Sequence, residues 1–166
     1  ISEELSQVEK KLQDHKKIII GLITQSGISK SNSMFVRDII DYFFGAPGKL
    51  LRPALVLLSA KASGGKLKTG TKQLINAAAA VELIHGVSLI HDDVIDDTGE
   101  RRNQVTLNNK FGNHTAIIAG DILYSHTFSL LSEMRTSDFK LQNTIIQLLA
   151  HTTRKMCLGE IFELHK

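Results

Sequence analysis

The apolar segment from Thr71 to about Asp97 constrains the fold of this chain more than any other feature. Four consecutive alanines, residues 77–80, favour helix strongly and allow close packing against neighbouring elements. Apolar residues occur around almost the whole helical circumference rather than along one stripe, so the helix should lie inside the protein. The sequence therefore predicts an all-α fold built around one buried helix.

The segments on either side also have helical periodicity and are separated by short joints rich in Gly, Ser and Asn. Only two prolines occur in 166 residues, which favours long helices over a loop-rich β-sandwich. The length suits one domain, or a large piece of one. We expect a first helix capped by Ser2 and a second over about residues 33–44. A third should run from Pro53 to a stop at Gly64-Gly65. Three more are expected over about residues 71–97, 115–134 and 137–166. The last is still periodic where the sequence stops, so we expect an incomplete bundle.

Composition and charge exclude several classes of protein. The net charge is only +3, with 20 basic and 17 acidic residues interleaved, whereas a nucleic-acid binder would carry a concentrated basic face. No uninterrupted apolar run approaches the roughly 20 residues that cross a bilayer, so no membrane span is expected. The single cysteine, Cys157, cannot form an internal disulfide, which indicates a reducing, cytoplasmic location.

An acidic run, His91 to Asp97, closes the buried helix. Asp92 and Asp96 lie one turn apart on one face, with Asp93 beside them. Acids at a helix C-terminus oppose the macrodipole, and like charges one turn apart repel each other. Mg²⁺ would compensate, since it binds one or two carboxylates together with water and substrate phosphate. A solvated acidic helix end is the alternative interpretation.

Basic residues flank this run in the sequence. Lys49 and Arg52 stand where a glycine turn enters a helix, a place suited to a phosphate group. Arg101 and Arg102 follow the acidic helix directly, and His85 lies two turns before the aspartates. Taken singly, Lys49 and Arg52 would be interpreted as surface charges. Arg101 and Arg102 would be interpreted as loop charges, and His85 as a core histidine. Together they predict two environments, in which carboxylates with metal hold one polyphosphate and cations hold another.

The ordered motifs GKLLRP, ELIHGVSLIHDDVIDD, RR and AGD, spread over about residues 48–160, resemble the N-terminal half of trans-type polyprenyl diphosphate synthases. The resemblance implies a helical bundle of the isoprenoid synthase type, with residues 1–166 as the N-terminal portion of a single domain. Such enzymes condense isopentenyl diphosphate with an allylic diphosphate. The family's second aspartate-rich motif is absent from this sequence, so we expect these 166 residues to be inactive by themselves.

The resemblance also implies roles residue by residue. Asp92 and Asp96 match the Mg²⁺ ligands, and Asp93 supports them, so these three are the expected catalytic residues. The residues that match the isopentenyl diphosphate site are Lys49, Arg52, His85 and Arg102, and Arg101 matches a contact to the allylic diphosphate.

The chain length of the product is predicted from two small residues, Val87 and Ser88. In the family, bulky aromatics at these positions form a floor that stops elongation early. Their absence favours a medium- or long-chain product such as octaprenyl diphosphate, used for quinone side chains, unless deeper residues close the tunnel. The chain departs from the family at Asn103 and Val105, where glycine and proline are usual, so a differently shaped loop is expected.

Partners follow from the same resemblance. We expect a homodimer, with a heterodimer as the alternative, and a product that passes to a membrane. Two other functions stay open: a non-catalytic small subunit of a hetero-oligomeric synthase, and a fragment of a terpene cyclase. Small subunits generally lose the aspartate motif that this chain keeps, and cyclases have no need of GKLLRP.

Overall fold

The computed structural model describes residues 1–45, 48–64, 71–101, 103–134 and 139–165. Within these ranges the chain forms seven helices and one short antiparallel hairpin, which confirms the all-α prediction. The elements are α1 (Ser2–Gln25), α2 (Lys30–Gly45), α3 (Leu51–Ala62), α4 (Lys72–Ile95), β1 (Glu100–Arg101), β2 (Gln104–Val105), α5 (Leu107–Phe111), α6 (Asn113–Ser132) and α7 (Phe139–Glu163).

Helix α4 is the centre of the bundle, as its composition predicts. It packs against α1, α3 and α6, and Ala78, Ala79 and Ala80 are completely buried. Thr71 caps its first turn, because its Oγ1 accepts a hydrogen bond of 3.4 Å from the Leu74 N–H. The polyalanine stretch thus serves to bring neighbouring helices close to the axis that carries the acidic run.

Helix α4 is also long and apolar enough to cross a membrane, with a mean hydropathy of 1.4 over its best window, which the sequence reading did not anticipate. It is the one helix among the described residues that passes this test. Half of that window is buried inside the bundle. Its apolar composition is therefore explained by packing against α1, α3 and α6.

Several predicted boundaries differ from the observed ones. Ser2 is the first residue of α1 rather than its cap, and no side chain caps that helix. The hairpin and α5 were not predicted, because they are held by contacts with distant residues. The predicted stop at Gly65 and the predicted start of the last helix at about residue 137 lie outside the described residues.

Helix α7 is the least enclosed element. It packs on α4, and the Gln142 amide donates a hydrogen bond of 2.9 Å to the Leu131 carbonyl. None of the residues of α7 is buried, and Leu148 and Phe162 are exposed. This helix therefore contributes a large apolar surface and little to the core.

A buried polar cluster joins α1 to α6, far from the acidic run in sequence. His15 Nδ1 and His126 Nε2 lie 2.7 Å apart, and both rings are buried. On the other side, Glu133 lies 3.5 Å from His15 Nε2 and 2.6 Å from Lys11 Nζ. Burial, reinforced by the charge of His15, lowers the pKa of His126 to about 4. Burial likewise lowers the pKa of His15, against the opposing pull of Glu133.

We expect this histidine pair to make the fold acid-sensitive. The pKa of His126 is about 4 when folded, below its ordinary value of 6.5, so the unfolded chain binds the proton first as the pH falls. The contribution of His126 to the free energy of unfolding is therefore fully present above pH 6.5. It should fall by about 3 kcal/mol as the pH is lowered towards 4. Urea unfolding at several pH values measures this slope. His126→Gln should flatten it, whereas His114→Gln, at an exposed position, should leave it intact. An unchanged slope in His126→Gln would contradict the prediction.

Candidate active site

The acidic run lies where the sequence places it, at the C-terminal end of α4. The Asp96 N–H donates a hydrogen bond of 2.8 Å to the Asp92 carbonyl, so the last turn stays helical through both residues. Asp92 is half-buried and Asp96 is exposed, whereas Asp93 is buried at 7% exposure. Asp97 leaves the helix in the left-handed region, with φ of 51°. The carboxylates of this run therefore occupy different environments.

Burial raises the pKa of Asp92, and the neighbouring charge of Asp96 raises it further. Arg101 acts in the opposite direction but does not cancel these effects. The two carboxylates thus stand one turn apart with an unfavourable electrostatic interaction, which a bound cation would relieve.

The third aspartate is paired. Arg101 Nε and Nη2 lie 2.8 and 2.7 Å from Asp93 Oδ1, so two guanidinium N–H groups donate to one oxygen. A guanidinium carries five N–H groups, so three remain besides the two that donate to Asp93. Asp93 therefore holds Arg101 against α4, and its expected support of the Mg²⁺ ligands stays a prediction.

The hairpin that carries Arg101 is fixed by hydrogen bonds on both sides. Tyr42 donates its hydroxyl to the Val105 carbonyl at 2.7 Å, and Thr106 Oγ1 donates to the Thr98 carbonyl at 2.7 Å. The register pairs Arg101 with Gln104. Asn103 adopts φ of 62°, a left-handed conformation that asparagine accepts more readily than most residues. Asparagine thus supports the turn at the position where the family pattern has glycine.

A cleft of about 420 Å³ opens beside these residues. Lys49 and Arg52 line it from the loop before α3 and its first turn, and His85 lines it from α4. Arg101 and Asp93 close the end nearest the acidic run. The structure therefore brings together all the predicted diphosphate-binding residues that it describes, and Arg102 lies outside the described residues.

Asp92 and Asp96 are not among the residues that line this cleft. They lie on the adjacent side of α4, next to Asp93, which does line it. The cleft thus gathers the basic side chains of Lys49, Arg52 and Arg101 together with the acidic Glu9, Glu82 and Asp93, and the Asp92–Asp96 pair lies beside it.

The sequence reading missed the aromatic wall of the cleft. Phe43 and Phe44 line it from α2, and their rings pack edge to face at 5.0 Å. Phe43 lies so close to α4 that a Cβ at Gly86 would be 2.6 Å from its Cζ. Glycine at position 86 is therefore required for this approach, a signal visible in the sequence only as one glycine inside a helix.

The chain-length residues lie on α4 before the aspartates. Val87 is buried at 4% exposure, and Ser88 is half-buried with its Oγ donating a hydrogen bond of 2.9 Å to the His85 carbonyl. Ser88 stands one helical turn before Asp92. Neither residue lines the cleft, and their part in limiting an elongating chain stays a prediction.

By residue type, the carboxylates of the acidic run suit a hard cation such as Mg²⁺. Among the described residues, no group of three or more His, Cys, Asp or Glu side chains is arranged to hold a metal ion. Asp92 and Asp96 offer carboxylate oxygens, and Mg²⁺ takes one or two of these and completes its shell with water and substrate phosphate. Asp92 and Asp96 are therefore the residues that would hold it.

Comparison with known proteins agrees with this geometry. Residues 33–166 match the family model described as polyprenyl synthetase. A geranylgeranyl diphosphate synthase of Methanosarcina mazei is 38% identical over 119 residues, which cover 72% of this chain and 35% of that protein. An octaprenyl diphosphate synthase of Haemophilus influenzae is 32% identical over 123 residues, which cover 74% of this chain and 34% of that protein.

A heptaprenyl diphosphate synthase from Staphylococcus aureus shares the fold, with a TM-score of 0.74, 30% identity, and coverage of 97% of this chain and 44% of that one. The chain thus spans from about a third to about half of the length of the relatives it matches. The family match covers well over half of the 166 residues. The chain therefore belongs to the polyprenyl synthetase family.

Proposed function

We propose that this chain supplies the first aspartate motif and the isopentenyl diphosphate site of a trans-polyprenyl diphosphate synthase. The observation that carries the proposal is the cleft itself. It brings Lys49, Arg52 and His85 together with Arg101, immediately beside the Asp92–Asp96 pair. Two substrates that each carry a diphosphate need two such surfaces, one cationic and one metal-assisted.

The proposed reaction divides the work between the two surfaces. The allylic C–O bond breaks, its electron pair leaves with the diphosphate, and the double bond of isopentenyl diphosphate attacks the resulting carbocation. Loss of a proton from the condensed intermediate to the released diphosphate completes the step. Bound Mg²⁺ would neutralise the charge that develops on the leaving group.

The residues of the chain position and protect the substrates. Lys49 and Arg52 would hold the isopentenyl diphosphate by charge-assisted hydrogen bonds. Phe43 and Phe44 give the cleft an apolar wall that excludes water from a reactive cation. The unused N–H groups of Arg101 would reach the allylic diphosphate while Asp93 keeps the guanidinium in place.

Incorporation of labelled isopentenyl diphosphate into an allylic primer tests the proposal. The complete gene product should form labelled prenyl diphosphates with Mg²⁺ and none after chelation. Conversion of the primer without incorporation of label would indicate a cyclase. Since the chain covers only about half of its relatives, addition of a separate second chain is a further arm of the test. Activity that appears only then would indicate a subunit of a hetero-oligomer.

We also propose a cytoplasmic homodimer whose product passes to a membrane. The single exposed Cys157 supports a reducing compartment. The exposed apolar residues of α6 and α7, among them Ile118 and Phe162, support association with further polypeptide.

We expect Ser88→Phe to shorten the product. Two similar relatives are named for geranylgeranyl and octaprenyl products, which differ widely in length, so the proposed medium or long chain rests on the small size of Val87 and Ser88. A phenyl ring one turn before Asp92 would obstruct an elongating tail, whereas Ser88→Ala should leave the product unchanged. Chromatography of the dephosphorylated products measures the length. The same length distribution in both variants would exclude Ser88 as the limit.

A further inference from the structure

The AGD motif, residues 119–121, has no part in the cleft, although it is one of the motifs by which the sequence resembles its family. It lies in the middle of α6, and Ala119 and Gly120 are buried. Helix α6 packs along α4, whose last turns carry the acidic run. The motif therefore faces the helix that bears the proposed metal ligands.

Near the acidic run, His91, the residue before Asp92, contacts α6. Its Nε2 lies 3.3 Å from the Ile117 carbonyl oxygen and 3.7 Å from Asp121 Oδ1. A carbonyl oxygen only accepts, so Nε2 carries the proton in this contact. The carboxylate of Asp121 stands beside the same nitrogen and favours the same tautomer.

Gly120 permits this arrangement. A Cβ at position 120 would lie 2.9 Å from His91 Cδ2 and 3.2 Å from its Cε1, closer than side chains pack. The imidazole ring thus lies directly against the backbone of α6. A larger residue at position 120 would therefore force the His91 ring to leave its seat on α6.

We propose that His91, seated on Gly120 beside Asp121, is a positioning residue that sets the place of Asp92 and Asp96 for binding Mg²⁺ and diphosphate. A metal site needs its ligands held within about 0.5 Å, and groups behind the ligands typically account for 10- to 100-fold in affinity. His91 is adjacent to Asp92 in the chain and is fixed to a different helix. This inference rests on the proposed role of Asp92 and Asp96.

The variants separate positioning from simple packing. His91→Leu removes the donor and keeps the bulk, whereas His91→Gln places an amide N–H where Nε2 stands. Gly120→Ala inserts the obstructing methyl group. Gly21→Ala is its matched control, because Gly21 is also helical but a Cβ there meets nothing within 4 Å. Asp121→Asn removes the charge beside the ring, and Asp38→Asn makes the same change at an exposed site on α2.

Binding is measured in the complete gene product by calorimetric titration of inorganic diphosphate in the presence of Mg²⁺. We expect about 10-fold weaker binding in His91→Leu and Gly120→Ala, partial recovery in His91→Gln, and wild-type binding in both controls. In turnover, KM for the allylic substrate should rise while KM for isopentenyl diphosphate stays within about 2-fold. Thermal unfolding identifies variants that are merely destabilised.

Four results would overturn the inference. Unchanged binding in folded His91→Leu would remove the positioning role alone. Equal losses in His91→Leu and His91→Gln would show that the Nε2–H donor does not position the aspartates. Parallel changes in both KM values would show a general effect on the fold. A wild-type protein that binds no diphosphate with Mg²⁺ would instead overturn the proposed function, and the positioning role with it.

Discussion

Replacing Asp92 by asparagine should lower kcat by about 10³-fold while leaving the protein at least as stable as before. Asparagine keeps the size of the side chain but removes the charge that would bind the cation. Burial and Asp96 raise the pKa of Asp92, so ionisation of Asp92 destabilises the folded state as the pH rises through that pKa. Loss of the charge therefore relieves a repulsion of about 0.2–0.5 kcal/mol at neutral pH.

Turnover of the complete gene product with labelled isopentenyl diphosphate, and its urea unfolding at neutral pH, measure the two halves of this prediction. Asp97→Asn is the matched control, because Asp97 is exposed and its φ of 51° suits asparagine. This control should keep both activity and stability. A large loss of stability in Asp92→Asn would show that the acidic run is structural, and near-normal turnover would contradict its role as a metal ligand.

The local parts of the site could be predicted from the sequence. Asp92 and Asp96 share a helix, so their spacing alone places them on one face. Lys49 and Arg52 flank a glycine turn, and the order of the motifs indicates that they and His85 serve one site. The proposal of Mg²⁺ likewise rests on residue type, since carboxylate oxygens are ligands that this ion prefers.

The parts that depend on distant contacts could not be predicted. The hairpin at residues 100–105 is held by Tyr42, which is 63 residues away from Val105, and no local pattern indicates this bond. The approach of Phe43 to Gly86 depends likewise on how α2 crosses α4. Ser2 failed as a cap because helix α1 begins one residue earlier than the pattern indicates. Periodicity identifies which residues are helical, but packing decides what they contact.

We expect Arg101→Ala to destabilise the protein by about 3 kcal/mol, because it leaves the Asp93 carboxylate buried without its partner. Arg37→Ala, which removes an exposed ion pair with Asp41 on α2, should cost no more than about 0.5 kcal/mol.

Asp93→Asn in the Arg101→Ala background should restore much of the lost stability, since it removes the unpaired charge. Activity should not return in that double variant, because the guanidinium proposed to hold the allylic diphosphate is still missing. Urea unfolding and turnover of the wild type, Arg101→Ala, Arg37→Ala and the double variant measure both effects. Recovery of turnover along with stability would show that Arg101 acts only as the partner of Asp93.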